Sequence, residues 1–263
     1  MSRLNDTVPL ITDKERVRRL LALPGVRSER LARLRSARVA IVGVGGLGNA
    51  AAQYLAAQGM GHLTLIDGDT VDRGNLGRQI LFGPEDVGHL KVEAAAHSLH
   101  RLAPDLQIRS VPLFLTEENG PSLVDSHDLI LDGLDTAPPR QWLNRWAIAH
   151  KVPVIFGGAV GYEAQVFPVY GQAPCLSCLW PSFEGPELDC ATSGILGPLV
   201  GMVGALQAAL AIKHLIGLEE RAGILWTFDL FQARARTIAL TPNPQCPVCG
   251  VSREKVRDVE RSL

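Results

Sequence analysis

Neither sign of charge is in excess in this chain: 26 lysines and arginines stand against 27 aspartates and glutamates, a formal net charge of −1. That balance leaves no basic excess to suggest nucleic acid, and there is no acidic tail, so charge alone names no partner. Internal repeats, low-complexity segments and a linker long enough to divide the chain into two independent domains are also missing. The N-terminal stretch MSRLNDTVPLITDKERVRRL has no apolar core of the kind a secretory signal needs, so the cytoplasm, with its reducing conditions, is the expected compartment. Long apolar runs are scarce as well. Only 195–212 comes near the roughly 18 residues of a membrane span, and Gly197, Pro198, Gly201, Gly204 and Gln207 interrupt it, which favours a core helix beginning near Pro198. No nucleic acid and no membrane is expected as a partner.

Cysteine is sparse too, with five in 263 residues, and four of them fall into two knuckles. Cys175 and Cys178 form CLSC; Cys246 and Cys249 form CPVC. In a reduced compartment, two CxxC units point to one tetrahedral zinc ion held by four thiolates. Redox chemistry or a disulfide is the alternative. It would place a CxxC at a helix start, whereas Pro174, Pro181, Pro244 and Pro247 favour loops. Four thiolates close the zinc shell, so the expected role is a structural staple.

With 46% hydrophobic residues, the chain can bury a sizeable core in one large domain or in one domain with an appendage. Strands are expected at 38–43, 62–67, 107–111, 128–132 and 152–156, alternating with helices near 47–58, 89–102, 117–125 and 138–150. This pattern is α/β, a doubly wound, mostly parallel, Rossmann-like sheet. Beyond GGAVG the runs EAQVFPVYG, WTFDL and RARTIAL read as an antiparallel extension. The tail VSREKVRDVERSL reads as a solvated helix.

RVAIVG leads into GVGGLG and then NAAAQYLAAQ, a strand, a glycine turn and a helix. Gly43, Gly45 and Gly48 fit GxGxxG, which lets backbone N–H groups and a helix N-terminus approach phosphate. A second strand, HLTLID, ends at Asp67, where a carboxylate can bind ribose hydroxyls. An NAD oxidoreductase is the obvious reading, yet DGDTVDRGNLGRQ carries more charge than a dinucleotide requires. Arg78 beside Asn75 and Gln79 suits a triphosphate, since a guanidinium offers a planar fork to phosphate oxygens. Lys91 opens the next helix and can add a point charge. Asp135, after the apolar LILDGL, is placed to hold Mg2+, or else to cap a helix beginning at Pro138 or Pro139.

These motifs in this order resemble the adenylating enzymes that activate ubiquitin-like sulfur carrier proteins, a family including molybdopterin-synthase and thiamine-pathway adenylyltransferases and, more remotely, ubiquitin-activating enzymes. The resemblance runs from about Arg16 to Gly250 on RVAIVGVGGLG, LIDGDTVDRGNLGRQ, VGHLKVEAA, LDGLDTAPPR, both CxxC pairs and DCATSGILGPLVGMVGALQAALAIKHLIG. It implies a helical arm over 1–37 and an adenylating domain over 38–263. It also implies that Gly43, Gly45, Gly46 and Gly48 line an ATP site, that Asp67 binds ribose, that Asn75, Arg78, Gln79 and Lys91 meet the phosphates, and that Asp135 holds Mg2+. The carrier's terminal carboxylate would attack the α-phosphate and release pyrophosphate.

The resemblance further implies a homodimer in which Arg19, within RVRRL, reaches the neighbouring subunit's ATP site; a basic surface helix is the plain alternative for Arg16 and Arg19. A carrier ending in Gly-Gly is the implied partner, with a sulfurtransferase or cysteine desulfurase beside it. Thr136 replaces the family's usual asparagine after the metal aspartate, while Arg140 and Asn144 keep their spacing. Cys190, the unpaired cysteine in LDCATSGILGP, is either a small buried hydrophobe or a nucleophile in a loop over the adenylate. An NAD-dependent oxidoreductase with structural zinc and a non-catalytic carrier-binding scaffold stay open from the residues alone. So does an amidating or cyclising use of the adenylate.

Overall fold

A computed structural model describes residues 13–181, 194–218 and 221–250. Short β-branched runs alternate with alanine-rich helices and build one sheet in the order β3-β2-β1-β4-β5-β6-β7-β8. Its parallel half comprises β1 (Arg38–Val42), β2 (His62–Ile66), β3 (Gln107–Val111), β4 (Leu129–Asp132) and β5 (Pro153–Val160). The crossovers run through α4 (Gly46–Ala57), α5 (Lys91–Leu102), α6 (Gly120–Val124) and α7 (Ala137–His150). An antiparallel half follows: β6 (Glu163–Tyr170), β7 (Ile224–Asp229) and β8 (Arg234–Ala239). The α/β expectation and its antiparallel extension hold.

Alternation along the strands sorts apolar side chains into two core layers. Val39 and Ile41 of β1 join α4, α5 and the long helix α9 (Gly197–Leu215) on one face. Ala40 and Val42 join α6, α7 and the first cysteine knuckle, whose short helix is α8 (Leu176–Leu179), on the other. Among the described residues α9 is the one helix long and apolar enough to cross a membrane, but half of its apolar window is buried against protein. It docks closely on α4, because a Cβ on Gly204 would collide with the Leu47 carbonyl. This is the core helix expected near Pro198.

The first three helices, α1 (Asp13–Arg16), α2 (Arg18–Leu21) and α3 (Ser28–Ser36), form no detached unit. Val17, Leu20, Leu31 and Leu34 are buried in the first core layer. Arg16 donates to Asp105 at 2.8 Å, just past α5, and Val17 sits over Gly59, just past α4. These contacts put α1 and α2 at the C-terminal ends of the helices.

Three boundaries moved for local reasons. α5 starts at Lys91 because the bridge to Thr70 holds Leu90 extended, while His89 N–H donates back to the Asp86 carbonyl in a turn. α6 is shorter than 117–125, since Thr116 and Asn119 exchange side-chain and backbone bonds in a turn of their own. β5 runs on to Val160 because it pairs with β6 over its whole length. At the far edge, every residue of β8 is exposed. The 251–263 tail lies outside the described residues.

Candidate active site

Strand order reverses between β1 and β4, and the crevice at their C-terminal ends is where open α/β sheets bind ligands. A cavity of about 490 Å³ opens there. Its lining includes Gly43, Gly45 and Gly46 from the turn after β1, Asp67 and Asp69 after β2, and Asn75, Arg78 and Gln79 from the next loop. Lys91, Asp135, Arg140, Gly157, Gly158 and Trp180 complete the polar and aromatic wall.

The glycine turn is built for close approach. Gly43 has φ +89°, and a Cβ there would press on Gly133 across the strand switch. Gly48 departs from its expected role: it lies outside the cavity lining, and a Cβ on it would collide with the Gly43 carbonyl. Its smallness packs α4 against the turn, as the third glycine of such motifs does.

Asp67 is buried and accepts from Val44 N–H at 2.7 Å and Asp69 N–H at 2.9 Å, which ties β2 to the glycine turn. Burial raises its pKa above the usual 3.8, against the pull of the Lys91 charge and of these two N–H groups. Lys91 is no solvated surface lysine. Its side chain is only 9% exposed and its Nζ lies 2.7 Å from the Asp69 carboxylate. Arg78 is half-buried and donates to the Gly74 carbonyl at 3.0 Å, which directs the loop's guanidinium along the wall. Gln79 is 3% exposed, and its Oε1 is a buried acceptor without a partner. Such atoms call for a ligand or water donor, and the Nε2 of the same amide lies beside Gly45.

Asp135 stands exposed at the cavity rim. It is not the helix cap: Thr136 occupies the N-cap of α7, without a side-chain capping bond. Deeper in, Asp132 is fully buried, and burial raises its pKa against the opposing charge of Arg140. Arg140 Nε donates to Asp132 at 2.8 Å, and its Nη2 donates to the Gly157 carbonyl at 2.7 Å. Sequence reasoning missed Asp69, Gly157, Gly158 and Trp180. A glycine pair inside the β-branched run VIFGGAV was the available signal for close ligand approach.

Of the predicted residues, Gly43, Gly45, Gly46, Asp67, Asn75, Arg78, Gln79, Lys91 and Asp135 converge on this one cavity. Arg19 does not. It is exposed on α2, near the end of α4 remote from the glycine turn, and α4's 12 residues span about 18 Å. Cys190 lies outside the described residues.

The four knuckle cysteines meet across the chain. Cys175 Sγ lies 3.7 Å from Cys246 Sγ and Cys178 Sγ 3.3 Å from Cys249 Sγ, with all four Sγ within 4.8 Å of one another. A tetrahedral zinc with bonds of about 2.3 Å requires sulfur separations of about 3.8 Å, so the set fits one ion. Burial raises the Cys175 and Cys249 thiols. It acts the same way on Cys246, but the N–H groups of Cys249 and Val248 and the neighbouring thiols outweigh it and hold that group at about 7.

The ThiF family model matches residues 17–248. The chain belongs to the ThiF family. This ThiF-family chain is 40% identical over 245 residues to molybdopterin-synthase adenylyltransferase of Escherichia coli (strain K12), an alignment spanning 91% of this chain and 98% of that one. It is also 40% identical over 243 residues to that organism's sulfur carrier protein ThiS adenylyltransferase, covering 91% and 96%. Among solved structures, E. coli MccB crystallised with ATP superposes with a TM-score of 0.75 at 26% identity, over 84% of this chain and 69% of that one.

Proposed function

We propose that this chain is an ATP-dependent adenylyltransferase that activates the C-terminal glycine of a ubiquitin-like sulfur carrier protein for sulfur transfer. Names of relatives 40% identical over nine-tenths of the chain support the reading. The observation that carries it is the convergence of Arg78, Lys91, Gln79 and Asp135 on a cavity floored by the glycine turn. A dinucleotide oxidoreductase has no use for that set, and a scaffold would have no reason to bury a lysine at its wall.

In this reading Gly43, Gly45 and Gly46 admit the phosphates, Asp67 takes the ribose and Asn75 and Gln79 donate to phosphate oxygens. Arg78 and Lys91 neutralise the charge that develops as the carrier carboxylate attacks the α-phosphate and pyrophosphate leaves, so catalysis is mostly positioning and charge stabilisation. Asp135 would hold Mg2+, which supplies further charge neutralisation when bound. Arg19 acts across a homodimer; its remoteness from its own subunit's cavity supports that assignment. The Cys190 thiolate attacks the activated carbonyl, forming a thioester to the carrier as the acyl–phosphate bond breaks and AMP leaves. The carrier ends in Gly-Gly, serves thiamine, molybdopterin or tRNA thiolation, and hands its product to a sulfurtransferase or takes sulfur from a cysteine desulfurase.

Exchange of labelled pyrophosphate into ATP, run with each candidate carrier, tests the reading. Carrier-dependent exchange is expected with at least one. NAD binding without exchange by any carrier would overturn it.

A further inference from the structure

The four-cysteine site has two physical connections to the nucleotide cavity. The first runs through Asn144 on α7, which is fully buried. Its Oδ1 accepts from Leu176 N–H at 3.0 Å, and its Nδ2 donates to Ser177 Oγ at 3.1 Å and to Cys175 Sγ at 3.6 Å. One turn earlier on the same helix face is Arg140, anchored to the buried Asp132 and to the Gly157 carbonyl in the cavity wall. The second connection is the chain itself, because Trp180 follows Cys178 by two residues, bonds back to the Leu176 carbonyl at 3.0 Å and lines the cavity. A remote staple would need neither link.

We propose that Asn144 is a positioning residue that orients the Cys175–Cys178 knuckle and makes α7 a rigid tie between the metal site and the floor of the nucleotide cavity. The amide is suited to the task. It offers an acceptor to one knuckle N–H and donors to a hydroxyl and a sulfur, and no aliphatic side chain of that size can do all three. Partners of this kind outside a metal's own ligand set fix ligand orientation, and their loss typically costs 10- to 100-fold in metal affinity. The tie needs no knowledge of the cavity's ligand; only its consequence for ATP rests on the function proposed above.

The test compares the zinc-loaded full-length parent with Asn144→Ala and Asn144→Asp. Zinc transfer to a chromophoric chelator reads the metal end. Amide hydrogen exchange over residues 131–141 and 155–160 reads the cavity end. Both variants are expected to release zinc at least 10-fold faster and to exchange faster in both segments with zinc still bound. Removing zinc from the parent should speed the same two segments.

Aspartate preserves the shape and the acceptor but lacks the donors, so parent-like behaviour of Asn144→Asp would reduce Asn144 to packing and overturn the proposal. Unchanged zinc release in either variant, or faster exchange confined to 174–180 and 244–250, would overturn it as well. If Asn144→Ala fails to fold, Ser177→Ala removes one of its partners and carries the same comparison. Neither readout involves nucleotide, so a chain that binds no ATP would sink the proposed function and leave this result standing.

Discussion

Lys91 and Asp69 sit 2.7 Å apart with the lysine nearly buried, so the carboxylate holds the Lys91 Nζ in place in the cavity wall. Lys91→Ala, Arg78→Ala and Asp135→Ala are each expected to lower carrier-dependent pyrophosphate exchange by about 10²-fold or more, within the range seen for groups that stabilise developing charge. Melting temperatures should stay close to the parent's for Arg78→Ala and Asp135→Ala, whose side chains support no core. Exchange above a tenth of the parent's in any of the three would move the reacting phosphates elsewhere. Asp67 makes a different prediction. Its folded pKa is raised, so its contribution to stability is fully present below the ordinary value of 3.8 and is lost as pH rises through the folded value. The stability difference between Asp67→Asn and the parent should therefore shift in favour of the variant between pH 3 and pH 7, read from denaturant midpoints; a constant difference would contradict the raised pKa. Residue type and order were enough to gather nine of the cavity's residues before any coordinates. Asp69 was not legible because nothing in one sequence says which of three loop aspartates turns inward, and Gly48 was misjudged because its spacing suits a packing contact as well as a phosphate contact.

The helices and strands were the most legible level, since alternation and glycine punctuation act locally. β1, β2 and β3 lie within one residue of their expected ends, and α4 and α9 begin where the glycine turn and Pro198 signal them. Boundaries slipped where a tertiary contact took over, as at the Thr70–Leu90 bridge and the β5–β6 hairpin. α9 shows how packing settles what composition leaves open, because the glycine that weakens a membrane-span reading is the one that lets two helices touch. Gly204→Ala sets a methyl group against the Leu47 carbonyl and is expected to cost about 1–3 kcal/mol, the usual penalty for overpacking, measured by denaturant unfolding. A neutral effect would mean that α4 and α9 separate easily. Gly201, on the same helix, has open space among the described residues where a Cβ would sit, so Gly201→Ala is the matched control and should be neutral or slightly stabilising.

At the scale of the molecule, the four-cysteine cluster and the first helices are the long-range devices. Metal analysis of the purified protein should return one zinc per chain, and chelation should lower the melting temperature, because binding at such a site is folding free energy. A metal-free protein with unchanged melting would leave the cysteines without that role. Mixing Arg19→Ala chains with Arg78→Ala chains should restore part of the exchange activity if each dimer can form one site with both arginines; activity no higher than that of the separate variants would count against action across subunits. The CxxC spacing showed that the knuckles would meet, but it was silent on where. Nothing in it indicated that Cys178 would bring Trp180 to the cavity, because that depends on how α7 and α8 pack.

β8 closes the antiparallel half with all six residues exposed, and among the described residues no ninth strand meets its outer backbone N–H and carbonyl groups. A free strand edge is a template for any other extended chain, including another copy of this one. Arg234 and Arg236 share one face of the strand, where they line a pocket with Glu163 and Asp229, and a second β8 pairing alongside would bring like charges near them. Those two charges are then what discourages pairing at this border. Replacing both with valine should leave the fold unchanged at micromolar concentration and produce concentration-dependent light scattering above it, while a double variant that stays dispersed would show that the edge is shielded by other means.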